Sequence, residues 1–211
     1  MIKFIDEKIE NYCISKSSAP SKNADRIEDY TKANVPMSQM LTGKMEASLL
    51  GFLIRSTNAK RVLEIGTYTG YSALCMAENL PKNGLVYTLD IDEKTTALAK
   101  SFWAKSPHGK KIKSILSPAK EGLLKIKGKF DFIFIDADKV NYLDYFKISL
   151  NLLTANGMIA VDNVLWSGKV LDPKDEETRA ICALNNYIAS KKGFYKTLLP
   201  VRDGIFLVKK I

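Results

Sequence analysis

The stretch RVLEIGTYTGYSAL, residues 61–74, decides the fold of this chain. Residues 61–66 are apolar in the manner of a buried strand, Gly66 and Gly70 interrupt the run with a turn, and residues 72–80 continue as a helix up to Pro81. Runs of the same kind recur at 85–92, 130–137 and 157–164, with a shorter one at 111–116. Helix-length patterns occupy 93–104 and 142–153, the second closed by the turn TANG. Strands that alternate with helices imply βαβ units and a parallel sheet covered on both faces, an α/β fold. A helix over 176–192 precedes FYKTLLPV and GIFLVKKI, two strand-like runs joined by the turn RDG, which predicts an antiparallel hairpin. Residues 1–55 read as helices linked by SKSSAPSKNAD, a cap on an α/β core of residues 56–211 within one domain.

Ligands of open parallel sheets bind outside the carboxyl ends of the strands. Here those ends carry Glu64, then Asp90 and Asp92, then Asp136 and Asp138, then Asp162 and Asn163. A dinucleotide site requires GxGxxG, which lets helix N–H groups meet a pyrophosphate. In this chain the glycines stand four apart with a carboxylate beside them, and a carboxylate repels phosphate and attracts a cation. S-adenosylmethionine carries an ammonium and a sulfonium and no phosphate, so it matches this turn better than a dinucleotide. Asp90 stands where an acid can accept from both ribose hydroxyls; its alternative role is a helix N-cap, which Asp92 can take instead, with Glu93 in the first turn.

The segments FIFIDADK and IAVDN form the second signal. Asp136, Asp162 and Asn163 would bring two carboxylates and an amide oxygen from adjacent strand ends to one point. That donor set suits an octahedral divalent ion with positions left open for water or substrate. Such an ion is a Lewis acid toward a bound hydroxyl. Lys139, three residues past Asp136, stands where a general base would be needed. The bland alternative is a surface lysine with two loop-capping aspartates.

Composition sets bounds. The 211 residues suffice for one domain with a substantial core. Three cysteines (Cys13, Cys75, Cys182) without a CxxC pattern are expected to be reduced and buried, and argue against a disulfide framework or a thiolate zinc site. A single histidine, His108, expected to be a solvated loop residue, excludes a multi-histidine zinc site; any metal must then take oxygen ligands. The formal charge of +9 is spread over lysines such as 110, 111 and 113, 125, 127 and 129, and 191 and 192, which reads as solvated surface more than as a nucleic-acid face. No apolar run approaches the ~18 residues of a membrane span. The start, MIKFIDEKIENY, lacks a signal-peptide core, so a cytoplasmic location is expected.

Taken together, VLEIGTYTGYSAL, LDID, FDFIFIDADKVNY, IAVDNVLWSG and RDGIFLV resemble the cation-dependent O-methyltransferases, the family of catechol and caffeoyl-CoA O-methyltransferases, most of all its small bacterial members. The resemblance spans residues 40–211. It implies a Rossmann-like, class I S-adenosylmethionine-dependent methyltransferase fold with a mostly parallel seven-stranded sheet. It implies cofactor contacts at Glu64, Gly66, Thr67, Tyr68 and Ser72, at Asp90 for the ribose, at Ala119 near the adenine, at Thr42 near the methionine end, and at Asp136. It further implies metal ligation by Asp136, Asp162 and Asn163, with magnesium expected and calcium or manganese as alternatives, and Lys139 as the base. Trp166 would pack beside a vicinal diphenol such as a catechol or caffeoyl group, or serve simply as a packing residue, and the chain would form a homodimer. The segment MLTGKMEASLL departs from the family by lacking the acidic, glutamine-rich run expected at KMEAS.

Rival functions have weaker support. YIASK at 187–191 matches the YxxxK of some dehydrogenases, without a dinucleotide turn to accompany it. A nucleic-acid (RNA) methyltransferase on the same fold would suit the charge, but an amino-methylating enzyme needs an NPPY-like turn to hold a flipped base, and DNVLW stands there instead. A non-enzymatic cofactor-binding module would keep the first loop and lack metal-dependent turnover.

Overall fold

Strands form in this chain where apolar side chains can be buried on both sides at once. The computed structural model describes residues 4–211; Met1, Ile2 and Lys3, part of the charged start, lie outside the described residues. Strands β1 (Arg61–Ile65), β2 (Leu85–Asp90), β3 (Ile112–Leu116), β4 (Phe130–Ile135) and β5 (Leu153–Asp162) run parallel. The hairpin β6 (Phe194–Leu199) and β7 (Ile205–Lys210) adds to β5 in antiparallel sense, giving the order β3-β2-β1-β4-β5-β7-β6. In β4, Phe132 and Phe134 enter one core layer while Ile133 and Ile135 enter the other, all without exposure. That double burial explains why the strand reads as a continuous apolar run.

Helices α3 (Lys44–Ser56) and α4 (Tyr71–Asn79) cover the first face through Leu50, Ile54 and Leu74. Helix α2 (Lys22–Asn34) adds Ala24 and Ile27 to the same layer, so part of the N-terminal region belongs to the core. Helix α1 (Glu7–Lys16) buries no residue. On the second face, α7 (Tyr142–Leu152) and α8 (Glu176–Ser190) bring Tyr145, Phe146, Leu184 and Ile188 against Leu63, Ile133 and Ile159. Helix α5 (Glu93–Trp103) follows β2, with Asp92 at its N-cap accepting from Thr95 N at 2.8 Å. Among the described residues no helix is long and apolar enough to cross a membrane.

Several local expectations are corrected. TANG does not close a helix: β5 begins at Leu153, and its pairing with β4 shifts so that residues 154–157 bulge between the Phe130–Leu153 and Phe132–Met158 pairs. Helix α6 (Ala119–Lys125) goes unpredicted because seven residues with Gly122 inside show no clear period. Half of SKSSAPSKNAD is helical, since Ser21 caps α2 by accepting from Asn23 N and Ala24 N. Lys111 is buried, not a surface charge; its Nζ donates to the carbonyls of Ala77 and Leu80 and so satisfies the end of α4. The cysteines are free, but only Cys75 is buried; Cys182 is half-buried, and Cys13 is exposed because it lies on α1. His108 is not fully solvated: it is half-buried in the turn between α5 and β3, with Nδ1 shielded and unpartnered.

Phe134 is fully buried on a central strand. Replacing it with alanine should lower unfolding stability by about 3–5 kcal/mol. Urea denaturation reads this directly, and an unaltered midpoint would contradict the packing described.

Candidate functional site

Strand order reverses between β1 and β4, and the crevice outside their carboxyl ends is where the predicted residues converge. Gly66 makes the convergence possible. At φ +101° it takes a conformation closed to most side chains, and a Cβ there would stand 1.8 Å from the carbonyl oxygen of Asp136. The two loops are thereby pressed together, with Asp136 N donating to Ile65 O at 2.9 Å and Gly66 N to Leu89 O at 3.0 Å. Gly70, at φ +82°, caps α4 against the ring of Trp103, whose Nε1 donates to Gly70 O at 2.9 Å.

Between the glycines, Thr67 and Tyr68 donate their backbone N–H groups to Asp90 Oδ2 at 2.8 and 2.7 Å. Asp90 therefore shapes the first loop, and its Oδ1 in turn receives Asp92 N at 2.9 Å. Ser117 N donates to Asp90 O at 2.9 Å, which draws the start of α6, Ala119, toward the same strand end. The loop is also braced from the N-terminal region: Tyr68 OH donates to Pro36 O at 2.7 Å, and Thr31 Oγ1 to Thr69 Oγ1 at 2.9 Å.

Glu64 points into the α4 side of the sheet, fully buried. Ser72 Oγ donates to one of its oxygens and Thr88 Oγ1 to the other, at 2.5 Å for Thr88. Burial pushes its carboxyl up to about 8, although both hydroxyls favour the charged form. Among the described residues no cation is hydrogen-bonded or ion-paired to it.

Beyond β4, Lys139 Nζ lies 3.1 Å from Asp136 Oδ1, 2.9 Å from Ala137 O and 2.5 Å from the hydroxyl of Tyr142. All three are oxygen partners that can engage the three hydrogens of an ammonium group, and Lys139 can take up a proton only as the neutral amine, which has a lone pair. Its Nζ also lies 5.5 Å from the Trp166 ring centre. Asp138 is occupied separately, by the hydroxyl of Tyr145 and the amide of Asn141.

Asp162, the last residue of β5, is nearly inaccessible and accepts from Asn163 N at 2.7 Å. Burial raises its pKa first, and the neighbouring Asp136 charge adds to that. Asn163, Trp166 and Ser167 all have positive φ, a strain of roughly 1–3 kcal/mol each that surrounding contacts must hold.

Four residues of this region were not recognised from sequence. Glu46, in the first turn of α3, is fully buried; burial raises its pKa, followed by the charge of Asp162, while Arg202 opposes both. Arg202 Nη1 lies 3.3 Å from Glu46 Oε2 and donates to Leu41 O at 2.8 Å, next to the buried Thr42. Thr42 is thereby adjacent in the chain to the Arg202 contact. Asp203, also buried, accepts from Ser167 N. Tyr142 is the fourth. The only available signals were two charges within a hairpin turn and a tyrosine one helical step from Lys139.

Four carboxyl groups (Glu46, Asp136, Asp162 and Asp203) lie around two cations (Lys139 and Arg202), and burial shifts Glu46, Asp162 and Asp203 toward the neutral form. Glu46 Oε1 is shielded from solvent, and the Glu46 carboxyl faces that of Asp162. Among the described residues, no group of three or more histidine, cysteine, aspartate or glutamate side chains is arranged to hold a metal ion. Asp136, Asp162 and Asn163 are two carboxylates and an amide, hard oxygen donors of the kind divalent ions take.

The sequence model of a family described as O-methyltransferase matches residues 15–211. The chain belongs to the O-methyltransferase family. It is 37% identical over 214 residues to a protein of Dictyostelium discoideum named probable caffeoyl-CoA O-methyltransferase 1, covering 98% of this chain and 93% of that one. It is 35% identical to the caffeoyl-CoA O-methyltransferase of Petroselinum crispum, over 85% of this chain and 80% of that one. Among solved structures, the SAH-bound methyltransferase of Podospora anserina is similar with a TM-score of 0.90 at 27% identity, covering 100% of this chain and 98% of that one. The Bacillus cereus O-methyltransferase in complex with SAH gives 0.88 at 26%, over 97% of each. This O-methyltransferase is of the S-adenosylmethionine-dependent class, and its sheet is the class I methyltransferase sheet.

The buried state of Glu64 has a measurable consequence. Burial pushes its carboxyl up to about 8 in the free chain, and the cofactor's ammonium group, were it to dock against Glu64, would favour the ionised form. Affinity for S-adenosylhomocysteine should therefore rise with pH through neutrality and level off near 8, with proton release below that point. Stability of the free chain moves the other way, falling from about pH 4.5 to 8 as burial resists ionisation. Glu64→Gln should flatten the binding profile and weaken binding at pH 8 by about tenfold or more. Calorimetry in buffers of different ionisation heat measures both, and a pH-independent parent profile would refute the assignment.

Proposed function

We propose that this O-methyltransferase transfers the S-adenosylmethionine methyl group to one hydroxyl of a vicinal diphenol, with a divalent cation, magnesium foremost, held by Asp136, Asp162 and Asn163. The juxtaposition of the Glu64–Asp90 loop with the Lys139 and Asp162 ends across Gly66 is the observation that carries this function. The caffeoyl-CoA names of the relatives support the acceptor class. The closeness of the Asp136 charge to the buried Asp162 carboxyl, with the Asn163 amide next in the chain, supports the ion.

Glu64, Ser72 and Thr42 would receive the amino-acid end of the cofactor, Gly66, Thr67 and Tyr68 would line its middle, Asp90 would take the ribose, and Ala119 would face the adenine. Asp136 would stand at the boundary between cofactor and ion. A divalent ion held there supplies Lewis acidity toward the acceptor's hydroxyls. Lys139, as the neutral amine, would accept the hydroxyl proton and become the ammonium ion that its three oxygen neighbours can hold. The acceptor oxygen then forms its bond to the methyl carbon as the carbon–sulfur bond breaks, and opposite charges cancel. Placement of oxygen, carbon and sulfur in line is the larger contribution. Trp166 would flank the acceptor ring, close to Lys139.

Residues 1–55 are proposed as a cap on the 56–211 core within a single domain. Exposed Ile9 and Tyr12 on α1 and Phe52 on α3 support a homodimer; a 23.6 kDa particle in sedimentation equilibrium would remove that proposal.

Labelled S-adenosylmethionine incubated with catechol, caffeic acid and caffeoyl-CoA should give labelled product that disappears with a chelator and returns with magnesium. Activity indifferent to chelation would end the metal assignment. Lys139→Ala should lower kcat by about 100-fold or more, and full turnover at neutral pH would exclude Lys139 as the base.

A further inference from the structure

The hairpin turn between β6 and β7 reaches both walls of the crevice. Arg202 adopts φ +50°, an uncommon conformation for a non-glycine residue. Asp203 fixes it from one side: its carboxylate accepts from Ser167 N and its carbonyl from Leu165 N at 2.9 Å, while Gly204 O accepts from Val164 N at 3.1 Å. On the other side Arg202 Nη1 donates to Leu41 O at 2.8 Å and meets Glu46 at 3.3 Å, across 161 and 156 residues of chain. Leu41 and Thr42 belong to no helix or strand, and the next residue, Gly43, has φ +78° and packs against the guanidinium. This stretch has no regular ladder to hold it; besides the Leu41 N–Ser38 O and Ala47 N–Gly43 O bonds and the burial of the Leu41 side chain, the guanidinium fixes its position.

We infer that Arg202 is a positioning residue for the amino-acid end of the cofactor, acting through Leu41 O and the adjoining Thr42. This rests on the cofactor assignment proposed above. The strand order supplies the direction. Asp90 ends β2, Glu64 lies on β1, and β4 and β5 follow, so a ligand whose ribose meets Asp90 extends its other end toward the segment that Arg202 holds. The adenosine half is shaped by different contacts, the Thr67 and Tyr68 bonds to Asp90, which Arg202 does not touch.

That division gives the test. Binding of S-adenosylhomocysteine and of 5′-methylthioadenosine, which lacks the amino-acid end, is measured calorimetrically for the parent chain, Arg202→Met and the double variant Arg202→Met/Glu46→Gln. The double variant removes the buried charge that Arg202 would otherwise leave uncompensated, so it carries the test if the single variant fails to fold. Affinity for S-adenosylhomocysteine should fall about tenfold in the double variant, the effect of one hydrogen-bond constraint lost, with methylthioadenosine changed by less than about twofold. Parent-like affinity for S-adenosylhomocysteine in the double variant would overturn the inference and leave Arg202 only a counterion for Glu46. An equal loss for both ligands would overturn it as well, since it would mean general loosening. A parent chain that binds neither ligand would overturn the cofactor assignment itself.

Discussion

Carboxylates held out of water are the constraint on which this structure turns. Glu64, Glu46 and Asp162 are all buried close to completely, and each has fewer charge partners than an ionised carboxylate in a dry environment requires. Glu64 has two hydroxyls, Glu46 has Arg202 on one oxygen only, and Asp162 has a backbone N–H. All three are accordingly shifted toward the neutral form. Such a site has little affinity for phosphate and gains most from a positive ligand. In the function proposed above, a sulfonium amino acid at one end and a hard cation at the other would be the two kinds of charge brought to it.

Only a rigid frame can keep like charges this close. The frame is the central part of the sheet, where β1, β4 and β5 are covered on both faces and the side chains of β4 are completely enclosed. Gly66 then brings the loop after β1 against the loop after β4 with no side chain between them. The same contact that makes the crevice narrow also sets the distance between whatever binds beside Glu64 and whatever binds beside Asp136. For a displacement in which three atoms must line up, that distance matters more than the strength of any single acid or base.

The features legible in the sequence were those with short-range causes. The strand, turn and helix of residues 61–74 were readable because burial on both faces leaves an unbroken apolar run and because two glycines mark backbone positions that other residues resist. The strand-end acids were readable because parallel sheets expose those ends together. Contacts joining distant segments were not: nothing local to RDG predicts that Arg202 would reach Leu41, and nothing in KMEAS predicts that Glu46 would be enclosed by that reach. Lys111 shows the same limit. Its charge suggested surface, but the carbonyls that hold it belong to a helix end more than thirty residues earlier. The short α6 and the bulge at 154–157 were missed for a different reason, since each is smaller than the window over which a period can be recognised.

The two halves of the crevice are held by different means, and this bears on how selective each can be. The cofactor half is tied into the core: Glu64 bonds to α4 and β2, Asp90 bonds to the loop, and Thr31 and Tyr68 brace that loop against the N-terminal region. The half proposed for the acceptor is a short 3₁₀ segment after β5, tied to the 203–204 turn by Val164 N and Leu165 N on its backbone and by Ser167 N on the Asp203 carboxylate, with Leu171 and Val140 exposed. Few buried contacts depend on those exposed side chains, so they can be exchanged at little cost to the fold, whereas a change at Glu64 or Gly66 disturbs the sheet. Under the proposed function, cofactor recognition would be bound to stability in this chain, and acceptor recognition would be largely free of it.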